Sequence, residues 1–85
     1  MIYTVLFTRA AAKELAALDR PVRTRVVRRI EALADNPRPP GCTALQGQPG
    51  YRIRIGDWRV LYTVSDETVT VLVVRVGPRG QVYRH

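Results

Sequence analysis

Five side chains of this chain can act together on one phosphodiester: Arg52, Arg54, Arg59, Arg79 and Tyr83. A guanidinium group does not give up its proton near neutrality, but its planar fork grips phosphoryl oxygens bidentately and can hold charge that develops on them. A phenol can stack on a nucleobase or accept a proton. RNA makes such a set usable for bond cleavage because its 2′-hydroxyl is a built-in nucleophile. That hydroxyl must be deprotonated, the phosphoryl charge must be held, and the departing 5′-oxygen must gain a proton. Arg52 and Arg54 are candidates for gripping RNA phosphates. Arg59 and Arg79 are candidates for the scissile phosphate, and Tyr83 for the base or the stacking platform. From spacing alone, the same basic set could also bind without chemistry.

Other catalytic apparatus is not evident. His85 is the sole histidine and the last residue, and Cys42 is the sole cysteine. Cys42 therefore has no disulfide partner and no evident base, which reads as an inert loop thiol in a reducing compartment. No histidine, cysteine and carboxylate cluster has metal-ligand spacing, and neither a P-loop nor a dinucleotide fingerprint occurs. Neither a metal nor an organic cofactor is expected. Thirteen arginines and one lysine against seven acids give a net charge of +7 and a pI near 10.8, a balance that suits a polyanion or an acidic partner. Arg25, Arg28 and Arg29 read first as a solvated helix face, with contact to nucleic-acid backbone as the alternative.

The elements that must position these residues follow from periodicity. Ile2 to Phe7 is rich in β-branched and aromatic residues and reads as a strand. Thr8 is a candidate N-cap for a helix through Leu18. Asp19, followed by Pro21 in the first turn, should start a second helix. Its apolar stripe is Val22, Val26, Ile30 and Leu33. Asp35 to Gly50 holds four prolines and three glycines and should be mostly loop. Three strands are expected beyond it, at Tyr51–Ile55, Trp58–Val64 and Thr68–Val76, with Gly77-Pro78 breaking the last. The expected fold is a single α+β domain over residues 1–85, in the order β-α-α-β-β-β. A helical hairpin should pack on one face of a mainly antiparallel sheet.

Register connects this fold to the chemistry. A turn at Gly56-Asp57 pairs Ile55 with Trp58, Arg54 with Arg59, Ile53 with Val60, and Tyr51 with Tyr62. Alternation then sends Tyr51, Ile53, Ile55, Trp58, Val60, Tyr62 and Val64 to the helix-covered face. Arg52, Arg54, Arg59 and Leu61 go to the other face, while Arg75 falls on the covered face opposite Trp58, in a packed or cation–π role. Like charges directly opposite across strands are destabilising, so Arg54 facing Arg59 points to an anion at that face. The opening MIYTVLFTRA lacks the apolar core of a secretory signal, and no run of residues is apolar enough to span a membrane. A cytoplasmic location is expected.

The loop NPRPPG, then Leu45 and Gly47, then YRIRIGDWRVLYTV and VLVVRVGPRGQVYR, resemble the RelE/ParE toxin superfamily over nearly the whole chain. The resemblance implies a RelE-like, microbial-ribonuclease-type fold. In the RelE branch it implies a ribosome-dependent endoribonuclease that cuts mRNA in the A site without a metal. Basic residues of that branch match Arg52 and Arg54, commonly as lysines. Arginines match Arg59 and Arg79, and a tyrosine near the end matches Tyr83. The implied partners are the ribosome with its mRNA and a small, RelB-like antitoxin with an acidic patch. No membrane is implied, and DNA only through the antitoxin. Two departures stand out. Arginine is a poor proton donor where relatives carry lysine, and only Arg84 and His85 follow the tyrosine. The second departure leaves Leu61, Leu72 and Val74 as a candidate seat for a partner. The ParE branch, which poisons DNA gyrase by protein binding, shares much of YRIRIGDWRVLY and is the alternative.

Overall fold

The structure is a computed structural model that describes residues 2–78. Its elements are β1 (Thr4–Phe7), α1 (Arg9–Ala16), α2 (Arg20–Ala32), β2 (Thr43–Ala44), β3 (Tyr51–Ile55), β4 (Trp58–Ser65) and β5 (Thr70–Pro78). They form one five-stranded sheet in the order β1-β5-β4-β3-β2. β1 runs parallel to β5, and the other neighbours are antiparallel. Both helices contribute to a core shared with one face of this sheet, which is the α+β arrangement expected. Ala11, Leu18, Val26, Ile30 and Leu33 meet Ile53, Ile55, Val60, Tyr62, Val71, Val73 and Val76 there.

Local chemistry explains the helices. Thr8 caps α1, its hydroxyl accepting from the Ala11 amide at 3.1 Å and donating to the Val74 carbonyl at 2.8 Å. One side chain thus satisfies an orphan helix donor and ties the helix start to β5. Asp19 occupies the N-cap of α2, but its side chain makes no capping bond. That helix is rich in arginine and is held by its buried stripe of Val26 and Ile30, with Leu33 at its end. Each such side chain contributes about 1.5–3 kcal/mol when fully buried.

The strands depart from expectation in three places. β2 lies inside the segment expected to be loop, pairing Thr43 with Arg52 and Ala44 with Tyr51. β5 begins at Thr70 because Val69 takes φ +52°, a left-handed conformation that ends extended backbone and is costly for a β-branched residue. It also runs through Gly77-Pro78, which pair with Arg59 and Trp58. β1 leaves β5 after Val73, so beyond that point one edge of β5 is free of strand pairing and a proline nitrogen can face it. The start of β5 at Thr70, opposite Ser65, shifts the β4–β5 register by two residues and a bulge between Leu61 and Tyr62 by one more, so Arg75 stands opposite Leu61 instead of opposite Trp58.

α1 covers the edge that β1 vacates. Glu14 accepts from the Val76 amide at 2.9 Å and pairs with the Arg75 guanidinium at 2.8 Å. Burial raises the Glu14 carboxyl, but the Arg75 hydrogen bonds, the Val76 amide and the Arg75 charge outweigh it and hold the group below its ordinary 4.5. A depressed carboxylate stabilises the fold above its unfolded pKa, and this contribution is lost as pH falls through the folded value. Glu14→Ala is expected to cost about 1–3 kcal/mol at pH 7 by orphaning the Val76 amide and removing the carboxylate that pairs with the Arg75 guanidinium. The gap between parent and variant should narrow once the pH falls below about 4, close to the unfolded glutamate pKa. Urea melts at pH 7 and at acid pH check this; a gap of constant size means the carboxylate charge is irrelevant.

Candidate nucleic-acid interface

β3 and β4 position three of the five expected site residues. Arg52 and Arg54 stand two apart on β3, and Arg54 pairs directly with Arg59 of β4. Alternation therefore puts all three on the sheet face away from the helices. Gly56, at φ +61°, makes the tight β3–β4 turn that sets this register. All seven acidic residues lie in helices, caps or turns, and none lies on a strand. The arginine face thus has no carboxylate of its own among the strand residues.

The three differ in setting. Arg54 is exposed, its Nε donating to the Gly56 carbonyl at 3.3 Å. Arg52 is half-buried and borders a groove walled by Thr43, Ala44, Leu45, Gln46 and Gln48. Arg59 is only 8% exposed, with a long 3.4 Å hydrogen bond to the Trp58 carbonyl. Among the described residues the ion pairs are Arg38–Asp66 and Arg75–Glu14, so Arg59 has no carboxylate partner there. Burying an unpaired guanidinium is costly unless an anion comes to it. Gly77, with no side chain, stands across from Arg59 on β5. Arg79 and Tyr83, the other two expected site residues, lie outside the described residues.

The remaining phenols are committed elsewhere. The Tyr62 hydroxyl donates to the Pro37 carbonyl at 2.8 Å, and burial pushes its pKa above the ordinary 10. Tyr3 donates to Asp66 at 2.7 Å, and that bond raises its pKa too. Arg38 pairs with Asp66 at 3.0 Å and donates to the Tyr51 hydroxyl at 2.9 Å, with its guanidinium carbon 5.3 Å from the Tyr51 ring centroid. Tyr51 stacks on Tyr62 at 5.8 Å. This network fastens the loop after α2 to the start of β3, where Arg52 must hold its register. Tyr3 and Tyr62 are poor proton acceptors as a result.

One expectation about the open face needs correction. Leu61 is 3% exposed, not open. It lies on the central strand β4, beside a groove it shares with Leu45, Pro49, Thr63 and Val74. Gly50 lets the loop approach closely there, since a Cβ on it would come within 2.9 Å of the Tyr62 carbonyl. Arg25, Arg28 and Arg29 are exposed, as a solvated helix face requires, and they line a cleft with Arg54, Ile55 and Gly56. The signal was present in their i, i+3, i+4 spacing, but nothing local connected α2 with the β3–β4 turn.

Residues 5–83 match the family described as the ParE toxin of type II toxin–antitoxin systems. The chain is similar to toxin RelG of Mycobacterium tuberculosis, 35% identical with 99% of each chain covered. It is also similar to the mRNA interferase toxin RelE of Escherichia coli K12, 33% identical over 98% of this chain and 92% of that one. Among solved structures it resembles the toxin–antitoxin complex RelBE2 of Mycobacterium tuberculosis, with a TM-score of 0.83, 30% identity and 93% of each chain covered.

Proposed function

Because this chain belongs to the ParE toxin family of type II toxin–antitoxin systems, we propose that it acts in the cytoplasm as a RelE-like toxin that cleaves mRNA on the ribosome. The observation that carries this reading is the buried Arg59 guanidinium, without a carboxylate partner among the described residues, on a sheet face shared with Arg52 and Arg54. The 2′-hydroxyl attacks the adjacent phosphorus and the bond to the 5′-oxygen breaks. The products are a 2′,3′-cyclic phosphate and a free 5′-hydroxyl. Arg52 and Arg54 hold flanking phosphates, Arg59 and Arg79 take the phosphoryl charge, and Tyr83 serves as base or stacking ring. The relatives named RelE and RelG support the RelE branch over a gyrase poison. The partner that silences it is a small antitoxin whose acidic patch complements the +7 charge.

A site with no evident general acid depends on its host for geometry, and positioning can supply several kcal/mol of the barrier. Purified protein is expected to cut translated mRNA at least about a hundredfold faster than the same RNA free in solution. Mapping of 5′ ends after induction should show cuts confined to open reading frames. Equal rates on free RNA would remove the ribosome from the mechanism. Gyrase-linked DNA breaks without mRNA cuts would replace this reading with the gyrase one.

A further inference from the structure

The arginine face does not end at Arg52. Across from it on β2 stands Thr43, its direct partner in the ladder. Beyond β2 the chain turns through Leu45, Gln46, Gly47, Gln48 and Pro49 before β3 begins. The Leu45 amide donates to the Gly50 carbonyl at 3.0 Å and closes this loop at its base. A groove of about 380 Å³ lies against the loop, lined by Thr43, Ala44, Leu45, Gln46, Gln48 and Arg52. Arg52 is the sole charged residue of that lining. The rest is neutral: two exposed carboxamides, a hydroxyl, and the apolar Ala44 and Leu45.

We propose that this groove seats one base of the bound mRNA and that Gln46 and Gln48 select adenine there. The inference rests on the ribosomal nuclease reading above and gives that site a sequence preference. Phosphate contacts position a nucleic acid, whereas contacts to base edges specify its sequence. A phosphate gripped by Arg52 leaves the base of its nucleotide free to enter the groove, as the unstacked bases of single-stranded RNA do. A second phosphate fits less well, because it calls for cationic donors and the lining holds one cation. Ala44 and Leu45 supply apolar atoms for the ring faces, and the amides meet the ring's edge. A carboxamide presents a donor and an acceptor side by side. Adenine matches that pair at N6 and N7, and again at N6 and N1 on its pairing edge. Guanine offers two acceptors at N7 and O6, the pattern that a guanidinium meets. Uracil and cytosine have one hydrogen-bonding edge each. Two glutamines around one base therefore favour adenine.

The test is the base preference of cleavage. Ribosomes carry mRNAs randomised at the A-site codon, and cuts are mapped by their 5′ ends under single-turnover conditions. The parent should cut codons with adenine at one position at least about tenfold faster than codons with another base there, as a bidentate amide contact allows. In a variant carrying Gln46→Ala and Gln48→Ala that ratio should fall to within about twofold, since the amides that tell the bases apart are gone. Both positions are exposed, and an unchanged thermal midpoint confirms folding. A parent without base preference, a preference that survives in the variant, or one for guanine, which Arg52 would read, overturns the proposal and leaves the nuclease reading standing. A second readout needs no cleavage. In proton–nitrogen spectra of the parent, the side-chain amide signals of Gln46 and Gln48 should move with millimolar adenosine monophosphate. They should stay in place with guanosine, cytidine or uridine monophosphate. Signals that respond equally to all four, or to none, also overturn the proposal. A parent that cuts no mRNA yet shows the adenine-selective shifts sinks the nuclease reading and leaves this site in place.

Discussion

Arg59→Ala is expected to slow single-turnover cleavage of mRNA on programmed ribosomes by about 10²–10³-fold, the usual effect of removing one preorganised donor from a developing oxyanion. Affinity for the ribosome should change only a few-fold. The expectation comes from how Arg59 is held. Its guanidinium is nearly buried, shielded from the solvent that weakens exposed charges, and has no carboxylate partner among the described residues. Electrostatic interactions are strongest in such surroundings. Arg54 stands directly opposite, so truncation relieves a like-charge pair worth a few tenths of a kcal/mol or more. A thermal midpoint that holds or rises while the rate collapses separates a residue kept for chemistry from one kept for packing. Arg59→Lys should recover part of the rate, since it restores charge without the bidentate fork. A full single-turnover rate in Arg59→Ala would show that Arg59 does not touch the reacting phosphate.

The second large effect is expected at Tyr83. Tyr83→Ala should lower the single-turnover rate by about 10²-fold or more, as loss of a general base typically does. Tyr83→Phe then decides the role, because it keeps the ring and removes the hydroxyl. A base role requires Phe to be nearly as slow as Ala, with the parent's rate rising with pH and the Phe variant's flat. Guanidinium groups favour a phenolate, so that rise should level off below the ordinary phenol value of about 10. A stacking role requires Phe to be nearly as fast as the parent and Ala badly impaired, with little pH dependence in either. The phenols of Tyr3 and Tyr62 are engaged with Asp66 and Pro37 and held protonated, so neither is suited to substitute. Full activity in both variants would remove Tyr83 from the site.

Much of the fold is legible in the sequence because its signals are local. Thr8 at a helix start, Pro21 in a first turn and an i, i+4, i+8, i+11 stripe each act within a few residues. The β3–β4 hairpin was read to the residue because a two-residue turn leaves only one register, and that register alone put Arg54 against Arg59. β2 escaped notice because two residues carry no periodicity. The late start of β5 at Thr70 depends on the backbone of Val69, and its continuation through Pro78 depends on where β1 stops.

By itself, then, the sequence determined both helices, four of the five strands, the hairpin register, the cluster of Arg52, Arg54 and Arg59, and the resemblance that named the family. These follow from short-range sterics, from alternation along a strand and from residue chemistry. The tertiary structure alone decided which arginines are buried and which acids answer them. Arg75 found Glu14 because a bulge in β5 and the early end of β1 brought that edge beneath α1. Arg59 became buried on the central β4 without such a partner among the described residues, and Arg25, Arg28 and Arg29 joined Arg54 because α2 packs beside the β3 edge. Burial and charge pairing depend on contacts between residues tens of positions apart, which neither periodicity nor composition encodes.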